Sequence, residues 1–193
     1  MLMLLEQMAD EVDAREGEAA RSREVARLAG LVADCLGLGA ERRLRCVVAA
    51  RLHDLGKLEI PVELLTKPGP LTRDEWAVIY THPERGATLL REIPGYEHVA
   101  RAVAEHHERY GGFGYPSGKH GDDICLEARI VSVCAAWSAI RSDRHHRLAR
   151  SMSKALAELR IGAGAQFDPD VVEAFFEVAH AEHGQLLELA AVA

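Results

Sequence analysis

The chain has 193 residues, of which 48% are hydrophobic and 27% charged, values typical of a single globular domain. Its 23 basic and 30 acidic residues give a net charge of −7, which argues against a broad electrostatic contact with DNA or RNA. Aromatic residues make up only 5% of the chain, and the abundance of Ala, Leu, Glu and Arg favours helix over sheet.

Cysteine usage and apolar run lengths indicate the compartment. The four cysteines, Cys35, Cys46, Cys125 and Cys134, show no Cys-x-x-Cys spacing, and they are expected to be reduced, with Cys46 and Cys134 in the core. No apolar run is long enough to span a bilayer, and the opening Met-Leu-Met-Leu-Leu lacks the basic residues of a signal peptide. The sequence therefore predicts a cytoplasmic protein that makes no contact with a membrane.

Apolar residues at helical spacing predict three helices in the first third of the chain, over residues 2–14, about 22–36 and about 40–54. The third helix is predicted to deliver His53 and Asp54 at its C-terminal end. Its apolar positions are expected to point inward: Leu44, Val47, Val48 and Leu52.

Residues 60–70 are predicted to form an irregular connector with a short helix at most, after which Thr72 and Glu75 form a capping box that begins another helix. Further helices are predicted at about 82–91, 96–108, 124–142, 151–161 and 169–182, with a glycine-rich loop over 110–123. With no alternating strand and no repeat, the pattern predicts an all-α fold, a compact helical bundle. The expected organisation is an N-terminal amphipathic helix or linker (1–20), a helical domain (21–183) and a C-terminal tail (184–193).

Several of these segments carry residues that bind metals or phosphates. The pentapeptide His53-Asp54-Leu55-Gly56-Lys57 places an imidazole, a carboxylate and an ammonium where an apolar helix stops. His82, His106 and His107 follow at intervals that allow successive helices to converge on one point. Imidazoles and carboxylates are ligands of divalent transition metals, and a nearby cation suits a phosphate. The alternative interpretation is a set of hydrogen-bonded helix-end residues, with Lys57 an ordinary C-terminal charge.

Longer stretches of the sequence resemble the HD-GYP domain, a subfamily of the HD metal-dependent phosphohydrolases. The matching motifs are HDLGK, HPERGA, HHERYGGFGYP and SDRHHR, and the resemblance covers roughly residues 20–178. It implies a helical fold that holds two or three metal ions, often iron or manganese, and hydrolyses the bacterial second messenger cyclic di-GMP.

The resemblance also implies roles for individual residues. The metal ligands that it implies are His53, Asp54, His82, His106 and His107. Asp54 would bridge two metals, and Lys57 would lie near the scissile phosphate, so that both take part in catalysis. Tyr115, Arg144 and Arg147, together with Lys57, would contact the substrate; otherwise the two arginines are ordinary helix-end cations.

Two departures from the family pattern affect one metal. Arg21 stands where the family has a ligating His, and a guanidinium has no lone pair to donate. Ala135 stands where a metal-binding Asp is expected, and Ser138 replaces a second Asp. Since the lost ligands would complete the site made by His53 and Asp54, we expect at most one metal ion, iron or manganese rather than zinc, or none.

Three functions are compatible with this pattern. The favoured one is a degenerate HD-GYP-like domain in cyclic dinucleotide signalling, which binds or regulates with weak or no phosphodiesterase activity. The second is an active phosphodiesterase or other phosphohydrolase, in which Glu16, Glu18, Glu108 or Asp143 supplies the missing oxygens. The third is a pure interaction module. Expected partners are a cyclic dinucleotide, a protein such as a diguanylate cyclase domain, and a second copy of the chain joined through the N-terminal helix.

Overall fold

The structure is a computed structural model that describes residues 1–142 and 149–191. Within these ranges the chain forms ten α-helices and no strand, and a single isolated bridge joins Ala163 to Phe167. The helices are α1 Leu2–Arg15, α2 Arg21–Cys35, α3 Ala40–Leu52, α4 Val62–Leu65, α5 Arg73–Ile79, α6 His82–Arg91, α7 Glu97–Glu105, α8 Leu126–Arg141, α9 Met152–Gly162 and α10 Pro169–Ala191. The all-α prediction is confirmed.

Helix α2 lies at the centre of the bundle, between α3 and α8. Its inward face is made of small and β-branched residues, including Val25, Ala29 and Val32, none of which is exposed. Small side chains let helices approach closely: a Cβ at Gly30 of α2 would lie 3.1 Å from the side chain of Val47 in α3. This close packing fixes the C-terminal end of α3, where the candidate site begins.

A buried polar group joins the first three helices. The carboxylate of Asp13 in α1 accepts hydrogen bonds from the backbone and the hydroxyl of Ser22, the latter at 2.6 Å. Arg51 of α3 donates to the same hydroxyl, to the carbonyl of Glu6 at 2.8 Å and to Asp10 at 2.6 Å. These bonds fix the start of α2, and therefore the position of Arg21, the residue before Ser22.

The turn after α3 is held against the start of α6 by two glycines. A 3₁₀ turn, Leu55–Glu59, follows α3 directly. A Cβ at Gly56 would lie 2.0 Å from the carbonyl oxygen of His82 and 2.6 Å from the nitrogen of Gly86, so no side chain fits there. This contact brings Asp54 within reach of His82.

Three details differ from the sequence predictions. Leu44 was expected to point inward but is 59% exposed, because α3 buries the face that carries Cys46, Ala49 and Ala50 instead. Helix α7 ends at Glu105 rather than at residue 108. Helix α10 extends to Ala191, whereas the sequence predicted that it ends at about residue 182.

The N-terminal helix has one buried and one exposed apolar surface. Leu5, Ala9 and Val12 are buried in the chain's own core, whereas Met1, Leu2, Met3 and Leu4 are 46–75% exposed. Dimerisation through this helix stays a prediction. Among the described residues, no helix has the length and apolar character needed to cross a membrane.

Candidate metal centre

Three histidines of the site follow helix ends and share one local geometry. His53, His82 and His106 each point Nδ1 at the carbonyl oxygen three residues earlier, at 2.7 Å in every case. These carbonyls lie in last helical turns, where backbone acceptors lack an intrahelical partner. An Nδ1–H that donates to a carbonyl leaves the lone pair of Nε2 free for a metal.

These imidazoles converge on one carboxylate. One ligand atom from each of Asp54, His82, His106 and His107 lies within 4.8 Å of the other three. Asp54 Oδ1 is 3.2 Å from His82 Nε2, Asp54 Oδ2 is 3.1 Å from His53 Nε2, and the Nε2 atoms of His82 and His106 are 3.4 Å apart. The structure therefore brings together all five residues predicted as metal ligands, four of them in one compact cluster.

The charge state of the cluster suits a cation. Burial opposes ionisation of Asp54, but the charges of His53 and Lys57 outweigh it and hold the pKa of the carboxyl well below its usual range. Burial lowers the pKa of His106 and of His107 well below the ordinary value, so both are neutral near pH 7. An ionised carboxylate beside the neutral imidazoles of His106 and His107 is the kind of ligand set that divalent transition metals prefer.

The residues fit a divalent metal ion. Their nitrogen and oxygen atoms lie 3.1–3.4 Å apart, and a cation among them would accept the lone pairs that these atoms present to one another. Asp54, His82, His106 and His107 would hold the ion, and His53 lies next to them.

The side of Asp54 that faces α1 and α2 is filled by fixed cations. Lys57 Nζ lies 2.9 Å from Asp54 and 2.8 Å from Glu16, and Arg21 Nη1 lies 2.9 Å from Glu18 and 3.8 Å from Glu16. Burial disfavours the charge of Arg21, but Asp54, Glu18 and Glu16 outweigh it and raise its pKa. A permanently charged guanidinium therefore lies within the field of the carboxylate, where it opposes a second cation.

Three of the acidic residues considered for rebuilding the second site have contacts in the structure. Glu16 and Glu18 pair with Lys57 and Arg21. Buried Glu108 accepts a hydrogen bond of 2.7 Å from the backbone of Ser117 with Oε1, whereas its Oε2 has no hydrogen-bond partner among the described residues. Ala135 lies partly buried in α8 and offers only a methyl group. Asp143, the fourth candidate, lies outside the described residues.

The glycine-rich loop places Tyr115 against the cluster. The Tyr115 ring stacks on His107 with centroids 4.7 Å apart and planes 17° apart, and its backbone N–H donates to the His107 carbonyl. Gly114 permits this contact, since a Cβ there would lie 2.4 Å from the nitrogen of Arg109. The peptide bond from Tyr115 to Pro116 is cis. The other predicted substrate contacts, Arg144 and Arg147, lie outside the described residues.

Comparison with known proteins decides the family. The sequence matches the HD domain family over residues 3–171. The chain belongs to the HD domain family. The resemblance to HD-type phosphohydrolases that the motifs indicated is therefore confirmed.

Two curated relatives show what this HD domain is similar to. It is 42% identical over 173 residues to the cyclic di-GMP phosphodiesterase response regulator RpfG of Xanthomonas campestris, covering 88% of this chain and 46% of the relative. It is 34% identical over 152 residues to a 3′3′-cGAMP-specific phosphodiesterase 3 of Vibrio cholerae, covering 79% and 33%. The chain thus spans less than half the length of these relatives.

A solved structure confirms the fold of the HD domain. The crystal structure of a cyclic GMP-AMP-specific phosphodiesterase of V. cholerae superposes with a TM-score of 0.74 at 19% identity, over 93% of this chain and 48% of that one. Likeness at this identity shows that the helical arrangement is shared.

Sequence reasoning missed the contact that covers Lys57. Glu16 precedes Lys57 by 41 residues, and its carboxylate contacts the ammonium through both oxygens, at 2.8 and 3.0 Å. Glu16 was considered only as a substitute ligand. The run Glu16-Gly-Glu18 just before Arg21 indicates pairing with Arg21 but gives no signal for the contact with Lys57.

Proposed function

We propose that this HD domain binds a cyclic dinucleotide with the help of one divalent metal ion, iron or manganese, and acts in signalling with weak or no hydrolysis. The observation that supports the proposal is Arg21, whose largely buried side chain holds a fixed positive charge near Asp54, at the position where the family pattern has a ligating His. The cluster of Asp54, His82, His106 and His107 supports the one metal that remains.

The ligand class follows from the residues and from the relatives. Lys57 is a buried ammonium next to the cluster, and ammonium groups bind phosphate oxygens as point charges. The relatives are named as phosphodiesterases of cyclic di-GMP and of 3′3′-cGAMP, both cyclic dinucleotides. A phosphodiester bound between Lys57 and the cluster would have the ammonium group on one side and the metal ion on the other.

Weak hydrolysis is expected because the proposed site holds one metal ion instead of a pair. A bound metal polarises a phosphate oxygen and lowers the pKa of coordinated water, and a pair of metals stabilises both the attacking and the leaving oxygen. In this chain Arg21 and Lys57 stand in for part of the charge of the second metal, but neither activates a water. The domain is therefore proposed to hold its ligand longer than an efficient phosphodiesterase would.

Metal analysis of protein purified without chelators tests the proposal. We expect at most one iron or manganese per chain, and slow or undetectable cleavage of cyclic di-GMP. The double variant Arg21→His/Ala135→Asp, which restores both ligands of the family pattern, should bind a second metal and gain hydrolysis. His98→Ala, a substitution of an exposed histidine outside the cluster, is the control. Two metals per wild-type chain with rapid turnover would refute the proposal.

A further inference from the structure

Three aromatic side chains form a continuous stack that starts at the metal cluster. Tyr115 stacks on His107, the Tyr80 ring lies 4.3 Å from Tyr115, and the Trp76 ring lies 5.4 Å from Tyr80. The angles between successive planes are 17°, 35° and 30°, so the rings keep a similar orientation. The stack therefore connects a cluster histidine with the surface.

The outer part of this stack is open to solvent. Trp76 and Tyr80 are each 43% exposed, although large aromatic rings are more often buried. They are four residues apart along α5 and its C-terminal cap, which places them on one face of the helix. An exposed aromatic surface that continues a ligand site indicates a subsite for a planar group.

The helix that carries the two exposed rings is held at its start. Thr72 and Glu75 form a complete capping box, and the carboxylate of Glu75 also pairs with Lys67 at 2.7 Å. These contacts fix the helix before any ligand arrives. A surface that is already ordered loses little conformational entropy when a planar group stacks on it.

We propose that Trp76 and Tyr80 form a nucleobase-binding surface for the cyclic dinucleotide. The inference rests on the proposed function, which places a phosphodiester at Lys57 and the metal cluster. Because the stack starts at His107, a nucleotide whose phosphate lies at the cluster directs a base along the rings. Every base has a π-face, so stacking accepts guanine and adenine alike.

The fluorescence of Trp76 reports this contact directly. The chain has two tryptophans, and Trp137 is 7% exposed and packs against Phe175, so added ligand reaches only Trp76. Cyclic di-GMP should quench the emission of metal-loaded protein, whereas inorganic phosphate, which has no base, should not. Trp76→Leu should abolish the quenching.

Binding of cyclic di-GMP by calorimetry gives the second readout. Tyr80→Leu should weaken binding at least about fivefold, because stacking on one base is worth about 1–3 kcal/mol. Tyr80→Phe keeps the ring and should bind as the wild type does. Val78→Ala, at another exposed position of α5, is the matched control.

The outcomes separate this inference from the function on which it rests. Binding without quenching, or an unchanged Kd in Tyr80→Leu, overturns the stacking surface and leaves the proposed function intact. Equal weakening in Tyr80→Phe and Tyr80→Leu also overturns it, because the hydroxyl rather than the ring would then matter. No binding of cyclic di-GMP at any concentration overturns both.

Discussion

Removing the charge of Glu16 should strengthen the binding of an anionic phosphodiester. The Glu16 carboxylate contacts Lys57 Nζ at 2.8 and 3.0 Å and lies 3.8 Å from Arg21. It therefore occupies donors that a phosphate would use and repels the phosphate's own charge. Glu16→Gln keeps the shape and the hydrogen-bonding oxygen but removes that repulsion.

The size of the effect follows from Coulomb's law. A carboxylate and a phosphate about 6 Å apart at an effective dielectric constant of about 20 repel by about 3 kcal/mol. The Glu16 side chain is 16% exposed, so solvent reduces this value, and a gain of about 1–2 kcal/mol remains. This corresponds to about 5- to 30-fold tighter binding. The loss of the carboxylate should also lower the pKa of Lys57, which Asp54 and Glu16 raise against the effect of burial.

Calorimetric titration with cyclic di-GMP at low and at physiological salt measures the change. We expect Kd to fall in Glu16→Gln, and to fall further at low ionic strength, where screening is weaker. Glu11→Gln is the matched control, since Glu11 pairs with Arg15 within α1 and its side chain is 56% exposed. If Kd is unchanged or higher in Glu16→Gln while its thermal unfolding matches that of the wild type, the electrostatic reasoning is wrong.

Two further predictions concern stability. Gly56→Ala should unfold the protein or lower its free energy of unfolding by at least about 2 kcal/mol, because the new Cβ would overlap a backbone carbonyl at the start of α6. Gly39→Ala, in open space at φ −62°, should cost at most about 1 kcal/mol in the same denaturant titration, because it replaces only a glycine N-cap, and equal effects would contradict the steric argument. In chelator-treated protein, the pKa values of His106 and His107 are lower in the folded chain than in the unfolded chain. As the pH falls, the unfolded chain therefore takes up protons at a higher pH than the folded chain does. The free energy of unfolding should therefore decrease below about pH 6.5, by up to about 1.4 kcal/mol per pH unit for each group. The double variant His106→Gln/His107→Gln should flatten this slope; an unchanged slope would show that other groups cause it.

The helices were predictable because their apolar residues repeat at helical spacing, and the capping box of Thr72 and Glu75 was predictable because it is local. The end of α7 was not, because no glycine or proline follows Glu105 before Gly111 to mark the end of the helix. It ends where His106 turns its Nδ1 to the Val103 carbonyl. Leu44 was misassigned because periodicity does not show which face of α3 the neighbouring α2 covers.

In the candidate site, too, the features with a local sequence signal were predictable and the long-range contacts were not. The sequence order of its motifs indicated which histidines converge, because each motif carries its own local signal. The partner of Arg21 was not predicted from the sequence: the structure shows a salt bridge with Glu18, and Asp54 acts on Arg21 through its charge. Contacts such as that between Glu16 and Lys57 join segments 41 residues apart, and no periodic pattern records them.

The formal charges around Asp54 favour one metal ion over two. The carboxylates of Asp54, Glu16 and Glu18, with the cations Arg21 and Lys57, carry a net charge of −1. One divalent ion, bound by neutral imidazoles, changes the net charge to +1, which a single phosphodiester neutralises. A second ion would change it to +3 in a buried region where uncompensated charge is costly. On the proposed function, the guanidinium would therefore oppose a second metal electrostatically as well as by providing no ligand atom, and a substitution that only adds a ligand at Ala135 would leave that repulsion in place.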